Sequence, residues 1–456
     1  AIERILEYIA AGDTYQVNYT FKLHFDFDGS AASFYRDLRR SQPVPYGCFM
    51  KHGDSHILSF SPELFFRLDS GKIIARPMKG TRKRGRFNGE DKIIARTLNK
   101  DIKNRSENVM IVDLLRNDLS HLVDNTGGGR VEVESLFDVE RYRTVFQMTS
   151  TIVATRFSSD RIPPVRILEA IFPCGSVTGA PKIRTMEIID ELELESRGVY
   201  TGAIGYFSPD GEAAFNVPIR TVVIQGSKGE MGIGSGIVSD SSPIDEWREC
   251  LLKARFLTNP PPPFALLETL LFDPREGYLY LDEHLERLAA SAEYLGRVCD
   301  LYKVRTKLDE YGRSFSGTAC MRVRLLVEDD GELTIEALEC ERPRALSLHQ
   351  ARTLTDQSQA VADLADQVTD SFSPWLFHKT TRRELYDAAW RQARSEGLHD
   401  LIFCNQKGEV TEGAISNIIV EEDGCFFTPP LECGVLPGVM RRRLLDAEGE
   451  FAIEER

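Results

Sequence analysis

The chain contains the run TNPPPP at residues 258–263, and this stretch decides the architecture because it divides the sequence into two parts. Four consecutive prolines hold the backbone extended and remove the N–H groups that a helix or a central strand would need. A chain of 456 residues is long enough for two or three folding units of about 150 residues each. We therefore predict a first domain at residues 1–257, a proline linker at 258–263 and a second domain at 264–456.

The composition is that of an ordinary globular protein, with 42% hydrophobic and 28% charged residues. A net charge of −14 argues against nucleic acid as a partner. The nine cysteines include no Cys-x-x-Cys pair, which is typical of reduced thiols. No apolar run approaches the ~18 residues of a membrane span, and no signal peptide opens the chain. We expect a cytoplasmic protein with no membrane partner, and we note that Ala1 is not an initiator methionine.

The first domain alternates helical and strand-like patterns, so we predict a mixed α+β architecture. Apolar residues at helical spacing indicate a first helix that ends near Gly12. Further helices are predicted at residues 89–120, 181–195 and from about 243. Strands are predicted at 15–25, 56–60, 64–68, 72–76, 202–207 and 219–224, and they are followed by a glycine-rich turn.

Lys79 is the first candidate for chemistry, and it lies in the run RPMKGT at residues 76–81. A lysine becomes a nucleophile only when its pKa falls, and burial or neighbouring cations both lower it. A cluster of basic residues follows at 82–86. A basic surface loop is therefore the alternative interpretation.

Two glycine-containing runs could bind an anion. GSVTGAPK at residues 175–182 leads into a helix, and N–H groups at a helix start attract negative charge. GIGSGIV at residues 232–238 could offer backbone amides to a carboxylate. The alternatives are a plain helix-entry loop for the first run and an ordinary turn for the second.

Acidic residues suggest a magnesium site. Glu246 and Glu249 lie three residues apart on the closing helix, and Glu107 could complete a set of hard oxygen ligands. The alternative is a solvated helix face on which Glu249 pairs with Lys253. Gln16 is an uncharged polar residue on an apolar strand, and a buried, hydrogen-bonded glutamine is its default interpretation.

Together with SPE at 61–63, DLLRND at 113–118 and IRT at 219–221, these runs resemble the chorismate-utilising enzymes in order and spacing. The resemblance implies a fold of two β-sheets with outer helices. A lysine in Pro-x-Lys-Gly-Thr is similar to the mark of aminodeoxychorismate synthase component I, whereas anthranilate synthases carry alanine there. An N-terminal region of the usual synthase is missing from the match.

The resemblance also implies roles for the candidate residues. Lys79 would attack ring C2 of chorismate, and Glu63 would help the C4 hydroxyl to leave. Glu107 and Glu249 would bind Mg²⁺, with Glu246 nearby. Gln16 stands where the isochorismate and salicylate branches place a lysine that activates water. The substrate carboxylates would be held by Lys182, Arg220 and the amides around Gly234 and Gly236. Gln16, Thr178 and Gly179 would also bind the substrate.

The second domain contains four lysines, and only Lys379 follows an apolar aromatic run, WLF at residues 375–377. Lys303 and Lys307 belong to a charged amphipathic helix, and Lys407 lies in a hairpin turn. A desolvated lysine is what covalent attachment of pyridoxal phosphate requires. A structural lysine is the alternative.

The order of DEHLERL at 282–288, EGAISN at 412–417 and LPGVMR at 436–441 resembles the class IV pyridoxal phosphate enzymes. This resemblance implies a fold-type IV α/β domain in which Lys379 binds the cofactor and Glu412 faces its pyridinium nitrogen. Met440 stands where transaminases often show threonine, which favours a lyase. The remaining cofactor contacts would come from Arg287, Asn417, Gly438, Val439 and Met440.

The two resemblances imply consecutive steps of 4-aminobenzoate synthesis, the aromatic precursor of folate. Chorismate would be aminated to 4-amino-4-deoxychorismate, and the second domain would then eliminate pyruvate. No amidotransferase signature is visible, so ammonia would come from solution or from a separate glutamine amidotransferase subunit. The second domain is also a candidate for homodimer formation. The alternatives are an anthranilate-type synthase fused to a class IV transaminase, and a non-catalytic scaffold whose basic run at 76–86 binds a partner.

Overall fold

The structure, a computed structural model, describes residues 1–125, 127–156, 163–260, 262–343, 360–446 and 453–456. The chain divides into two compact units. The first comprises residues 1–84 and 93–262, and the second comprises 85–92 and 263–456. Eight residues from the first part of the sequence therefore belong to the second unit. Pro261, within the predicted linker, lies outside the described residues.

The first unit contains helices and strands in alternation. The helices are α1 Ile2–Ala10, α2 Ala31–Ser41, α3 Asn88–Lys100 (whose first turn is counted with the second unit), α4 Ile102–Asn125, α5 Pro164–Ile171, α6 Lys182–Leu192 and α7 Pro243–Thr258. The strands are β1 Gln16–Asp26, β2 Tyr46–His52, β3 Ser55–Ser61, β4 Leu64–Asp69, β5 Lys72–Arg76, β6 Met78–Lys83, β7 Gly129–Arg141, β8 Val145–Arg156, β9 Gly179–Ala180, β10 Ile204–Phe207, β11 Ala213–Asn216, β12 Thr221–Gln225 and β13 Lys228–Ile237.

In the described part of this unit the strands form two sheets. One has the order β2-β3-β12-β13-β1-β9, and the other has the order β10-β11-β4-β5-β8-β6, with β7 also paired to β8. Helix α4 packs against the second sheet through an apolar stripe that includes Ile111, Leu115 and Leu119. Residues four apart share one face of a helix, so this spacing buries a continuous surface.

Two predictions for this unit were wrong in detail. The helix predicted at 89–120 is two helices, because Asp101 interrupts it and its carboxylate accepts a hydrogen bond from the Asn104 N–H at 2.9 Å, which caps α4. The glycine-rich run at 232–238 is not a turn, since most of it belongs to β13, which pairs with β1. A side chain at Gly234 would overlap the Tyr19 carbonyl oxygen, so glycine permits the close pairing here.

The second unit has strands β14 Leu266–Asp273, β15 Gly277–Tyr278, β16 Cys320–Val327, β17 Leu333–Cys340, β18 Ala362–Leu364, β19 Asp400–Cys404, β20 Val410–Gly413, β21 Val420–Glu422, β22 Cys425–Thr428 and β23 Ile453–Glu455. Its helices are α8 Leu281–Leu295, α9 Leu301–Arg313, α10 Glu384–Ser395 and α11 Val439–Leu445. Over the described ranges the sheet orders are β15-β14-β16-β17, β18-β19-β20 and β21-β22-β23. The main core joins β14 and β16 to α8, as shown by Leu266, Leu285 and Val323.

The mixed helix and strand content confirms the predicted α+β class. All nine cysteines lie within the described residues and none forms a disulfide. No helix in the described ranges is long and apolar enough to cross a membrane.

Candidate active sites

Lys79 lies in a β-bulge of β6. The register of β6 against β8 shifts between Met78 and Thr81, so Lys79 and Gly80 occupy the irregular position. A bulge turns a side chain away from the regular alternation of a strand. Asn108 fixes the bulge because its Nδ2 donates to the Lys79 carbonyl oxygen at 3.3 Å.

The Lys79 amine is recessed, with 17% of its side chain exposed, and it lies 3.6 Å from Glu107. Burial lowers the pKa of Lys79, although the charges of Glu107 and Glu249 oppose that shift. Lys253 adds to the lowering because it is a second cation nearby. The amine is therefore biased towards the neutral form that can act as a nucleophile.

Gln16 and Lys79 converge on Gly236. A Cβ at Gly236 would lie 2.8 Å from Lys79 Nζ and 3.3 Å from Gln16 Nε2, so this glycine leaves space for both groups. Gln16 is fully buried, and neither amide atom of its side chain has a hydrogen-bond partner among the described residues. Gln16 is therefore buried as expected, but its side-chain amide is not hydrogen-bonded to any described residue. This unpaired amide lies beside the Lys79 amine. Unpaired buried polar groups are costly, so such a pair is typical of a site that awaits a ligand.

Glu63 is buried, with 4% of its surface exposed, in the turn between β3 and β4. Burial raises the pKa of Glu63 to about 7, against the opposing effects of a hydrogen bond from Ser176, a bond from the Met78 backbone and the charge of Lys79. The Ser176 hydroxyl donates to Glu63 Oε1 at 2.7 Å. A carboxyl group with this pKa can hold and release a proton near neutral pH.

The predicted magnesium ligands are brought together only in part. Glu107 and Glu249 both act on the charge of Lys79, whereas Glu246 accepts a hydrogen bond from the Ser241 hydroxyl at 2.6 Å. Glu249 also pairs with Lys253 at 2.7 Å, as the alternative interpretation expected. No group of three acidic, histidine or cysteine ligands is present among the described residues. Two carboxylates nevertheless fit Mg²⁺, because this ion usually keeps water and substrate oxygens in its remaining positions.

The predicted substrate-binding residues have specific structural environments. Lys182 begins α6 and pairs with Asp118 at 2.7 Å. Arg220 directly precedes β12 and follows β11, which belong to different sheets. Its backbone is left-handed, with a φ of 51°, and burial lowers its pKa. The Thr178 hydroxyl donates to the Cys174 carbonyl oxygen at 3.2 Å. Gly179 belongs to β9, where a side chain would overlap the Gln16 carbonyl oxygen.

These contacts correct the interpretation of residues 175–182 as an open anion-binding loop. Residues Gly175–Val177 form a 3₁₀ turn, Gly179 pairs with β1, and α6 begins only at Lys182. Pro181 is the N-cap of this helix. The glycine at 179 is required by strand pairing, so its presence alone does not indicate an anion site.

The basic run at 76–86 is not a continuous surface patch. Arg76 contacts Glu140, Arg82 pairs with Asp101 and Arg86 pairs with Glu90. Arg84 is 7% exposed and donates to the carbonyl oxygens of residues 142 and 143. These intrachain partners weaken the interpretation of the run as a docking surface for another molecule.

In the second unit, Lys379 follows a 3₁₀ turn at Pro374–Phe377. Its carbonyl oxygen accepts a hydrogen bond from the Leu267 N–H of β14 at 2.9 Å, which anchors the backbone at this point. Burial, together with the nearby charge of Arg287, lowers the pKa of Lys379 to about 8, although the charge of Glu268 opposes this shift. Lys379 lines one pocket together with Glu412 and Asn417.

Glu412 lies at the end of β20 and is 6% exposed. Burial raises the pKa of Glu412 to about 7, although four groups (the Leu436 N–H, Tyr386, Lys379 and Arg383) stabilise its charged form. The Leu436 N–H donates to Oε2 at 2.9 Å, and the Tyr386 hydroxyl donates to Oε1 at 2.9 Å. A fixed carboxyl group in the same pocket as a lysine of lowered pKa fits the requirements of pyridoxal phosphate.

Arg287 is held by a buried acid that sequence reasoning missed. Arg287 donates to Glu268 Oε1 at 2.9 Å and to Oε2 at 2.6 Å, and its Nη1 donates to the Pro437 carbonyl oxygen at 3.3 Å. His284 contacts the same carboxylate at 2.8 Å. Burial would raise the pKa of Glu268, but Arg287 and His284 outweigh it and lower this pKa to about 2. The sequence signal was an acid in the middle of the apolar strand β14.

The loop at 436–438 contacts the same pocket. A Cβ at Gly438 would overlap Asn417 Oδ1, so glycine leaves a small recess before α11 begins at Val439. The Asn417 Nδ2 donates to Glu412 Oε2 at 3.3 Å and to the Leu436 carbonyl oxygen at 3.2 Å. The predicted cofactor contacts Asn417 and Gly438 are thus joined to Glu412, and Met440 follows Val439 in the first turn of α11.

Residues 1–259 match the sequence profile of the chorismate binding enzymes. The chain belongs to this family. Residues 265–456 match the profile of the amino-transferase class IV family. Both resemblances predicted from the motifs are therefore confirmed.

Relatives of this chorismate binding chain include two kinds of synthase. It is 46% identical over 247 residues to the aminodeoxychorismate synthase of Streptomyces griseus, a match that covers 54% of this chain and 34% of the relative. It is 40% identical over 257 residues to anthranilate synthase component 1 of Aquifex aeolicus, covering 56% of this chain and 51% of the relative. The chain thus spans about a third to a half of the lengths of these curated relatives.

A solved structure gives the same assignment for the first unit. The crystal structure of anthranilate synthase component I from Streptococcus pneumoniae has a TM-score of 0.50 and 34% identity to this chain. The match covers 56% of this chain and 55% of the solved one. The predicted chorismate-utilising fold is confirmed.

Three polar residues of the candidate site in the first unit were not singled out from sequence. Ser176 bonds Glu63, Asp118 bonds Lys182 and Asn108 bonds the Lys79 carbonyl. Each lies inside a run or helix whose pattern was recognised, but its partner is far away in the sequence. Only the folded chain reveals such pairings.

Proposed function

We propose that the first unit aminates chorismate to 4-amino-4-deoxychorismate and that the second unit eliminates pyruvate from this product to leave 4-aminobenzoate. The observation that carries the proposal is Lys79, a recessed amine of lowered pKa in a bulge beside Glu107. The aminodeoxychorismate synthase relatives favour this synthase over others in the family.

In the first unit, neutral Lys79 Nζ attacks ring C2 of chorismate, the ring double bonds shift, and the C4 hydroxyl leaves as water with a proton from Glu63. The pKa of Glu63, about 7, supports this role because the group is partly protonated at neutral pH. Ammonia then adds at C4, the double bonds return and Lys79 leaves. Chorismate and ammonia are thus converted to aminodeoxychorismate and water.

Gln16 supports the choice of nucleophile. It lies beside Lys79 and Gly236, and its neutral amide cannot act as a base that deprotonates water. We assign substrate binding to Lys182, Arg220 and the strand amides at Gly234 and Gly236, together with Thr178 and Gly179. Glu107 and Glu249 would hold Mg²⁺, with Glu246 as a nearby acid. Bound Mg²⁺ would offset the negative charge of the substrate carboxylate.

In the second unit, Lys379 is the proposed attachment residue for pyridoxal phosphate. The bound cofactor supplies an electron sink for the elimination. Glu412, fixed by Tyr386 and the Leu436 N–H, would hold a proton at the pyridine nitrogen. Arg287, Gly438, Val439 and Met440 would contact the phosphate, while Lys379 Nζ would move the proton that the elimination requires.

Partners follow from the same chemistry. The synthase unit needs ammonia, and a separate glutamine amidotransferase subunit is the proposed supplier. The second unit is proposed to form a homodimer.

The proposal is tested by incubating the full chain with chorismate, Mg²⁺, an ammonium salt and pyridoxal phosphate, and by analysing the products by mass spectrometry. We expect 4-aminobenzoate and pyruvate in equal amounts. Omission of pyridoxal phosphate should leave aminodeoxychorismate as the end product. Formation of 2-aminobenzoate would establish an anthranilate-type synthase instead, and no consumption of chorismate would support a non-catalytic scaffold.

A further inference from the structure

Residues 85–92 come from the first part of the sequence, yet they belong to the second unit. Their local shape is fixed by the start of α3. The Gly85 N–H donates to Asp91 Oδ1 at 2.9 Å, and the Arg86 N–H donates to Glu90 Oε2 at 2.7 Å. Acids in a first helical turn thus accept from N–H groups that precede the helix, as in a capping box. A Cβ at Gly85 would lie 2.5 Å from the Glu90 Cβ, so the bend requires glycine.

The Arg86 side chain joins two loops of the second unit. Its Nη1 donates to the Ser371 carbonyl oxygen at 2.8 Å and to the Glu432 carbonyl oxygen at 2.9 Å. Its guanidinium lies over the Phe377 ring at 4.9 Å, and Glu90 balances its charge. A planar guanidinium can make these bonds at once and also stack on an aromatic ring.

The backbone of Arg86 holds the residue next to the lysine. His378 Nε2 donates to the Arg86 carbonyl oxygen at 3.2 Å, because a carbonyl can only accept. Its other ring nitrogen accepts from the Ser291 hydroxyl at 3.1 Å. The His378 ring also stacks on Tyr294 with centroids 4.3 Å apart, and the Tyr294 hydroxyl donates to the Gly85 carbonyl oxygen at 2.5 Å. His378 is 5% exposed.

Residues 85–86 therefore contact the chain on both sides of the turn at 374–377, at Ser371 and at His378, and Lys379 follows His378. We propose that Arg86 and His378 are positioning residues that hold the turn and thereby direct Lys379 into the cofactor pocket and keep water from its amine. This inference rests on the proposed function of the second unit. It assigns a role in that unit to a residue 293 positions before the lysine, by subtraction of their numbers.

The proposal has a consequence for the chemistry of Lys379. Burial is the main cause that lowers the pKa of this lysine to about 8. If the turn loosens, water reaches the amine and its pKa rises towards the ordinary lysine value. Less of the amine is then neutral at a given pH, so its reaction with an aldehyde shifts to higher pH.

The experiment compares Arg86→Ala with Arg82→Ala in the full chain. Arg82 is the matched control because it belongs to the same basic run but is half exposed and pairs with Asp101. Hydrogen exchange without cofactor should be faster for peptides covering residues 371–379 in Arg86→Ala only. The second measurement incubates each protein with pyridoxal phosphate across a pH series, reduces with borohydride and quantifies the modified Lys379 peptide. The midpoint is the pH at which half of Lys379 is modified. We expect this midpoint to rise by about one pH unit in Arg86→Ala and to stay unchanged in the control.

A second pair of variants keeps the test decisive if Arg86→Ala does not fold. His378→Gln places an amide N–H near the position of Nε2 and should keep the midpoint near that of the original chain, whereas His378→Ala should raise it. A merely structural role would not produce this rescue by a hydrogen-bond donor.

Unchanged exchange and an unchanged midpoint in Arg86→Ala would overturn the positioning role while the proposed function stands. A midpoint that is the same in His378→Ala and His378→Gln would also overturn it. If the original chain forms no borohydride-stable adduct at Lys379, the proposed function of the second unit fails. The exchange measurement, which needs no cofactor, still decides in that case whether Arg86 holds the turn.

Discussion

Lys79 and Lys379 are both recessed amines, but the two units surround them differently. Burial is the main cause that lowers the pKa of each lysine. The strongest opposing charge on Lys79 is the carboxylate of Glu107, whereas Arg287 strengthens the lowering at Lys379. The backbone also differs, since Lys79 lies in a strand bulge and Lys379 follows a 3₁₀ turn. The comparison shows that desolvation can be common to two lysines while the charges around them differ.

The largest expected effect is the loss of the first reaction in Lys79→Ala. The nucleophile is removed, so aminodeoxychorismate formation should fall by roughly 10³-fold or more. Chorismate binding should persist, as measured by equilibrium dialysis, because other residues are proposed to hold the carboxylates. Lys83→Ala is the control, since Lys83 is an exposed lysine on the same strand. Unchanged turnover in Lys79→Ala would exclude a covalent mechanism.

Lys379→Ala should abolish the activity of the second unit and leave the activity of the first unit unchanged. We expect the variant to consume chorismate normally and to accumulate aminodeoxychorismate, with a fall of roughly 10³-fold in its conversion to 4-aminobenzoate. The visible band of the protein with pyridoxal phosphate should disappear. Lys407→Ala changes an exposed lysine in a turn, and this variant should retain both the conversion to 4-aminobenzoate and the visible band. Peptide mapping of a borohydride-reduced adduct to Lys303, Lys307 or Lys407 would refute the assignment.

Replacement of either acid near Lys79 should produce the next largest effect. Glu107→Gln or Glu249→Gln should lower synthase activity by about 10²-fold at limiting Mg²⁺ and raise the Mg²⁺ concentration needed for half-maximal rate. Glu246→Gln should have a smaller effect, because Ser241 holds that side chain. The control is Glu187→Gln on α6, an exposed acid that pairs with Arg184. Full activity with an unchanged Mg²⁺ dependence in both main variants would contradict the metal assignment.

The smallest expected effect is a pH dependence that belongs to the first unit alone. The pKa of Glu63 is raised to about 7, so its proton is held below this pH and lost above it. At pH values high enough for Lys79 to be neutral already, the synthase kcat/KM should therefore fall about tenfold per pH unit above 7. Glu63→Gln cannot donate a proton and should lose this limb along with much of the rate. If the limb stays in Glu63→Gln, another group is the acid.

Much of the fold could be predicted because its signals are local. Helical spacing in α1 and apolar runs in β3, β4 and β5 specify these elements within a few residues. The glycine run at 232–238 misled the prediction because glycine marks turns in isolation, whereas here it permits β13 to lie close to β1. β7 was missed although exposed polar residues alternate with partly buried ones along it, a period-two pattern that itself indicates a strand.

The candidate sites show the same division. Lys79, Glu63, Lys379 and Glu412 were identified because their residue types and motif order are visible in the sequence. Glu268 was not, since an acid in an apolar strand gains meaning only when Arg287 and His284 from α8 reach it. Ser176 lies within a recognised run, but its contact with Glu63 joins residues 113 positions apart.

The sequence by itself determined the two families, the order of their motifs and the side chains available for chemistry, because these are properties of residue types and spacing. Only the tertiary structure decided that Gln16 and Lys79 meet over Gly236, and that residues 85–92 belong to the unit that contains Lys379. Burial, and with it the pKa of an amine or a carboxyl group, depends on which distant segments exclude water from it. Such contacts form between residues far apart in the chain, so local patterns carry no record of them.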